Sequence, residues 1–169
     1  MRPSFLPAAV AMSVMTLAAA APVQAAGTSA AERKAVLDVV DRTFVALAKH
    51  DAAAMRALLV PGTTFAVRGP DGRIKMERDE DFLQALATGK GAWRERIRSP
   101  KVIVADGLAQ VWAPYDFHLD GRFSHCGIDS FALVKDGSGP WRIAGITYSV
   151  QIDGCPTDPK TRARHAARP

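Results

Sequence analysis

Four Asp-Gly pairs punctuate the second half of the chain, and the stretches between the first three, Asp106-Gly107, Asp120-Gly121 and Asp136-Gly137, are long and mostly apolar. Asp-Gly between apolar runs is a strong hairpin signal, because both residues tolerate the left-handed backbone that a two-residue turn demands. Strands are therefore predicted over residues 93–105, 108–119, 122–135 and 141–152, each folding back on the last. Pro100 and Pro114 lie within two of them and imply edge positions or bulges, since proline cannot donate to a ladder.

The first half reads as helical. Ser29-Ala30-Ala31-Glu32 has the pattern of a capping box, and Val36, Val40, Phe44 and Leu47 follow at helical spacing, so a helix is predicted over 30–49. His50-Asp51 breaks it. Asp51 can cap a second helix over 52–59, which Pro61-Gly62 should end. A short hairpin, 63–68 with 73–77, precedes a third helix over 80–87 opened by Asp79. Helices followed by an antiparallel meander make an α+β domain with the helices packed on one face of the sheet.

The two ends carry a different message. Arg2, an apolar run through residues 8–21 and the small residues Val23 and Ala25 have the form of a secretory signal peptide, 1–25, cleaved after Ala25. The run is shorter than the ~20 residues a membrane span needs, and no later segment in the mature chain is a span candidate. A periplasmic or secreted protein is expected. The net charge of +5 owes much to a basic tail, 156–169, which carries Lys160, Arg162, Arg164 and Arg168 and reads as a disordered end. The domain between, 29–155, is nearly neutral, and no patch of interleaved basic and aromatic residues points to nucleic acid. Two cysteines in an exported protein, Cys126 and Cys155, suggest one disulfide that would pin the C-terminal strand. A turn near Asp153-Gly154 would have to bring them together, since a bridge needs Cα atoms about 5.5 Å apart.

This order of elements, with the break "ALAKHDAAA", the helix end "LLVPG" and the long meander, resembles the nuclear transport factor 2-like superfamily, also called ketosteroid-isomerase-like. The stretch from Val111 to Cys155 is similar more narrowly to a bacterial branch named for lumazine binding. The resemblance implies a cone of three N-terminal helices packed on a strongly curved antiparallel sheet, with a pocket inside. It implies frequent dimerisation through the outer sheet face. It fixes no activity, because the superfamily holds isomerases, dehydratases, cyclases and non-enzymatic binding modules.

The turns give a first estimate of register. With Asp120-Gly121 as a two-residue loop, Asp116 should lie opposite His125 and Trp112 opposite Asp129, and the next hairpin should set Asp129 opposite Thr147. Alternation then sorts the strands into an apolar face, with Val111, Tyr115, Phe117, Cys126, Ile146 and Tyr148, and a mixed face of aromatic and titratable residues. The mixed face has the character of a ligand site. Its candidate catalytic residues are Asp129, His125 and Asp116, and its candidate ligand-binding residues are Trp112, Phe131 and Thr147. A carboxylate beside an imidazole suits general acid–base work, and burial among rings would raise the pKa of Asp129. Each assignment has a plainer counterpart: Asp116 and His125 as a cross-strand pair near the turn, Asp129 bonded to Thr147 or a backbone amide, the rings as core. A metal site from Asp116, His118 and His125 fails on register, and nothing calls for a cofactor. The expected function is the binding of a small hydrophobic or aromatic molecule. The alternatives are a cofactor-independent isomerase, dehydratase or cyclase, and a homodimeric interaction module using the apolar face.

Overall fold

A computed structural model describes residues 29–156. The signal sequence expected at 1–25 and the tail beyond Pro156 lie outside the described residues. Helix α1, Ala30–Ala48, is capped by Ser29, whose Oγ accepts from the amide of Glu32 at 3.1 Å. The second half of the capping box does not close. The Glu32 carboxylate accepts instead from Lys135, 3.0 Å away, and ties the helix to the end of the meander. His50 ends the helix in the left-handed region at φ 53°, and Asp51 caps α2, Ala52–Leu58, through the amide of Ala54 at 2.8 Å.

From there the chain extends sooner than expected. Strand β1 is Leu59–Arg68, so Pro61-Gly62 sits inside an irregular strand rather than after a helix. The amide that Gly62 would owe a regular ladder donates to Oδ2 of buried Asp79 at 2.7 Å. Asp79 opens α3, Asp79–Thr88, after β2, Ile74–Arg78. The strand expected over 93–105 is two: β3, Trp93–Ile97, and β4, Lys101–Ala105, separated where Ser99 turns left-handed before Pro100. Both pair with β5, Leu108–Leu119, which hairpins into β6, Arg122–Lys135, and then β7, Trp141–Ser149. Asp106-Gly107 and Asp120-Gly121 all have positive φ, the two-residue turn their sequences predict.

The sheet runs β2-β1-β7-β6-β5-β3, with β4 also on β5. It is mostly antiparallel, but β1 and β7 are parallel. Hairpin turns dictate antiparallel pairing only between consecutive strands, and no turn joins these two. The helices pack on the concave side over a core that includes Val36, Val40, Met55, Phe65, Leu83 and Ile143.

Two bulges bend the sheet, and they correct the expected register. His118 pairs with Phe123, but Phe117 pairs with His125, so Ser124 is an extra residue in β6. Leu133 pairs with Ile143, but Ala132 pairs with Gly145, so Ala144 is an extra residue in β7. Beyond each bulge the true partner is one residue away from the expected one. Asp116 lies opposite Cys126, Trp112 opposite Ser130, and Asp129 between Ala113 and Tyr148. An extra residue bends its strand and adds local twist, which is what wrapping a sheet around three helices requires. Pro114, the expected source of any bulge, sits in regular pairing with Ile128.

Cys126 and Cys155 are joined by a disulfide with Cα atoms 5.9 Å apart, the chain turning back at Asp153-Gly154 where Gly154 has φ 71°.

Candidate functional site

Between the helices and the concave face lies a cavity of about 280 Å³. Helix α1 lends it Thr43, Phe44 and Leu47, while α2 and α3 lend Met55, Phe82 and Ala85. The sheet supplies Phe65 and Glu77 at one side, Trp93 and Glu95 of β3 at the other, and Tyr115 and Phe117 of β5 between them. His125, Asp129 and Phe131 of β6, with Ile146 and Tyr148 of β7, complete the wall. The surface is predominantly aromatic, with a few polar groups set into it.

The expected site divides. His125, Asp129 and Phe131 reach the cavity. Asp116, Trp112 and Thr147 do not, because the bulges put them in alternation with residues that do. Trp112 and Thr147 are exposed on the outer face. Asp116 is buried, but against that outer face, where Arg96 reaches its Oδ1 at 3.0 and 3.1 Å and Arg98 its Oδ2 at 2.8 Å. It is a structural anchor for the edge strand, and it shares no site with His125.

The apolar face that the sequence suggested is split as well. Tyr115, Phe117, Ile146 and Tyr148, expected with Cys126, instead line the cavity. Their burial there is continuous with the core.

The residue that sequence reasoning missed is Glu95. In "WRERIR" the odd positions Trp93, Glu95 and Ile97 face inward and Arg94, Arg96 and Arg98 face outward. Three arginines on one parity and two large apolar residues on the other already required Glu95 to point into the core. Inside, its carboxyl comes within hydrogen-bonding reach of that of Asp129. Two ionised carboxylates cannot bond to one another, and with both ionised Asp129 Oδ2 is a fully buried acceptor without a donor among the described residues. One proton held between them closes the bond.

The environment favours that proton. Burial, then the charge and hydrogen bond of Asp129, and then the more distant Asp116, lift the Glu95 carboxyl well above the ordinary carboxyl range. Burial pushes Asp129 up to about 7, against an opposing hydrogen bond from Glu95. Tyr148 is pushed up to about 12 by burial and by Glu77, Glu95 and Asp129, and Tyr115 is raised for similar reasons. Burial alone lowers His125, which favours its neutral form. That ring stacks on Phe117 with centroids 4.9 Å apart, and its Nδ1 lies 3.0 Å from Ser124 Oγ, the bulge residue. The arrangement can therefore hold or move a proton within an apolar chamber. Among the described residues no cluster of three or more His, Cys, Asp or Glu side chains is placed to hold a metal ion.

Neither the protein-family models nor the curated protein sequences match this chain. Solved structures do. A nuclear transport factor 2-like superfamily protein from Salmonella enterica is 19% identical, covers 74% of this chain and 94% of its own, and superposes with a TM-score of 0.59. A protein of unknown function with a cystatin-like fold from Nostoc punctiforme is 15% identical, covering 79% and 98%, with a TM-score of 0.60. A candidate dehydratase of the same fold family from Streptomyces avermitilis is 12% identical, covering 69% and 94%, with a TM-score of 0.57. The chain has the nuclear transport factor 2-like, or cystatin-like, fold.

Proposed function

We propose that this protein binds a small hydrophobic or aromatic molecule in the cavity between sheet and helices. The observation that carries this reading is the chamber of about 280 Å³, walled mainly by aromatic rings and Met, Leu and Ile side chains, with carboxyl and imidazole groups placed among them. A folded core closes voids of this size unless something is meant to occupy them, because interiors pack to crystal-like density. Ligand sites of proteins have this composition: apolar walls that supply affinity and a few polar groups that fix orientation. Its volume lies just under the roughly 300 Å³ at which drug-sized pockets begin, which suits one ring system with short substituents. Thermal-shift and native mass spectrometry of the mature chain against a panel of small aromatic and heteroaromatic compounds, both neutral and charged, test the reading. Stabilisation by members of the panel supports it; no shift and no adduct across the panel rejects it.

We place the protein outside the cytoplasm, on the signal-like N-terminus and the disulfide, which would persist in an oxidising compartment. Cleavage after Ala25 in the exported protein, read by N-terminal sequencing, is the expected result.

One observation favours a second reading, a cofactor-independent isomerase, dehydratase or cyclase: Asp129 is pushed up to about 7, where a carboxylate serves as a general base at neutral pH. In that reading Asp129 and His125 exchange protons with the substrate, Glu95 positions Asp129, and Asp116 takes no part. The candidate dehydratase of the same fold accords with it. Loss of turnover in Asp129→Asn without loss of ligand binding would establish it.

A homodimer through the outer sheet face is supported by Ile103, Leu108 and Trp112, which leave half or more of their surface in solvent there.

A further inference from the structure

The charged groups of the cavity are all of one kind. Glu77, Glu95 and Asp129 line it, His125 is held toward its neutral form, and among the described residues no lysine or arginine reaches it. The cations nearby are spent elsewhere: Arg96 and Arg98 on Asp116 behind the sheet, and Lys75 on Glu77 at 3.2 Å. Asp129 is 3% exposed, and its fully buried Oδ2 receives no donor among the described residues. Burying a carboxylate without a donor or counter-charge is costly, and the shared proton relieves only one of the two groups. Once the pair ionises, the protein alone leaves that negative charge uncompensated.

Aromatic rings stand beside that charge. Trp93 flanks Glu95 two residues away on the same face of β3, and Phe131 flanks Asp129 in the same way on β6. Phe117 lies directly across from Glu95. Aromatic faces are electron-rich, so they repel an anion and attract a cation. A positive group seated between the carboxyl pair and these rings satisfies both.

We propose that the cavity's ligand is a hydrophobic organic cation, a protonated or quaternary amine with a compact aromatic or aliphatic body, whose nitrogen sits against the Glu95–Asp129 carboxyl pair. The inference rests on the ligand-binding reading and narrows its chemical class. It explains why the chamber is apolar and acidic at once, a combination that a neutral aromatic ligand leaves without purpose. It also couples binding to protonation. A cation favours the ionised pair, so at a pH where the pair still holds its proton, binding must expel it. Affinity for a permanently charged ligand therefore rises with pH until the pair is ionised.

The test uses two molecules of nearly the same shape, phenyltrimethylammonium and its uncharged carbon counterpart tert-butylbenzene, titrated into the mature protein at about pH 6 and about pH 8, since neither ligand titrates in that range. The cation is expected to bind at least about tenfold more tightly than the hydrocarbon at the higher pH, a preference the lower pH diminishes. In Asp129→Asn the preference should collapse while tert-butylbenzene still binds, showing the cavity intact. Should that variant not fold, Glu95→Gln and the pH comparison in the unaltered protein decide the matter. Equal or tighter binding of the hydrocarbon overturns the cation and leaves the cavity reading standing. Cation binding that neither pH nor Asp129→Asn alters places the cation elsewhere and also overturns it. If neither molecule binds, and no neutral aromatic does, the ligand-binding reading falls and the inference with it.

Discussion

The carboxyls of Glu95 and Asp129 meet inside the cavity although their strands are not neighbours, with β5 running between β3 and β6. The strand between them places Ala113 opposite Asp129 and Phe117 opposite Glu95. The pair is the main electrostatic liability of the fold.

That liability makes stability depend on pH in a definite direction. An unfolded aspartate loses its proton near the ordinary value of about 4, whereas folded Asp129 keeps it to about 7. Between those values the folded state binds more protons than the unfolded one, so the free energy of unfolding falls as pH rises, by up to about 1.4 kcal/mol per pH unit for one proton. Glu95, also raised, prolongs the decline. His125, lowered by burial, works the other way below its ordinary pKa. The comparison with Asp129→Asn isolates the carboxyl: the variant should be more stable than the parent at about pH 8, and the gap should shrink toward pH 5. Urea denaturation across that range measures it, and a pH-independent gap would refute the assignment.

Neutralising Asp116 should lower stability instead of raising it. Its carboxylate is 1% exposed and carries the bonds to Arg96 and Arg98, so Asp116→Asn removes a compensated charge rather than an uncompensated one. Both guanidinium groups are about half exposed and can be rehydrated. The expected loss is therefore about 1–3 kcal/mol, below that of a wholly buried pair. Binding in the cavity should not change. A ligand affinity that falls with Asp116→Asn, in a protein of otherwise native stability, would return this residue to the site.

The contrast between these two aspartates shows where the sequence was legible and where it was not. The element order, the Asp-Gly turns and the bounds of the two longest strands follow from local chemistry: left-handed turn residues and apolar runs between them. The face on which a side chain lands follows from a cumulative count, and one extra residue reverses everything beyond it. Ser124 and Ala144 are such residues, and neither carries a local signal, since serine and alanine sit equally well in regular strands. Asp129 and Phe131 reach the expected face, in step with His125 along the stretch of β6 between the two bulges. Asp116, Trp112 and Thr147, placed by counting across a bulge, did not. Glu95 was legible from its own strand, through three arginines that could not share its side of the sheet.

The disulfide offers a prediction about the C-terminal strand. Cys126 and Cys155 lie 29 residues apart and are nearly inaccessible, at 5% and 0% exposure. Closing a loop of that length stabilises a small domain by about 3.5 kcal/mol through the unfolded chain. Replacing both cysteines by alanine should cost about that much in urea denaturation. Hydrogen exchange should locate the loosening at the Cys126–Gln151 bridge and the backbone around it, with the β5–β6 hairpin protected as before. Uniform loss of protection would show that the bond stabilises the fold as a whole and does not pin one strand.

Trp112 separates the interface from the cavity. It is half exposed beside Ile103 and Leu108 on the face turned away from the ligand chamber. If that face joins two copies, Trp112→Glu should convert a dimer into a monomer in sedimentation velocity at micromolar concentration, with thermal stability of the isolated subunit and cavity binding unchanged. An unaltered protein that already sediments as a monomer rejects the dimer.

The sharpest prediction concerns a residue with no side chain. Gly127, in β6 opposite Tyr115, lies under the carbonyl of Ser149: a Cβ there would fall 1.8 Å from that oxygen and 2.7 Å from Tyr115 Cε1. The close approach is what lets the Tyr115 hydroxyl cross to the same carbonyl at 2.9 Å and the Ile128 amide reach Ser149 Oγ at 3.1 Å. The first ties β7 to β5 across β6 and the second ties β7 to β6, just where the chain leaves the ladder for the disulfide. A backbone oxygen has no rotamer by which to retreat, so Gly127→Ala must separate the two strands and displace a tyrosine of the cavity wall. We expect a loss of about 3 kcal/mol or more, with weakened ligand binding in whatever fraction still folds. Ala at 145, where the nearest backbone atom is an ordinary 3.8 Å from the added Cβ, is the matched control and should cost far less. Equal losses at the two positions would show that the penalty is a general one for alanine in this sheet, and that the approach of Ser149 to Gly127 plays no special part.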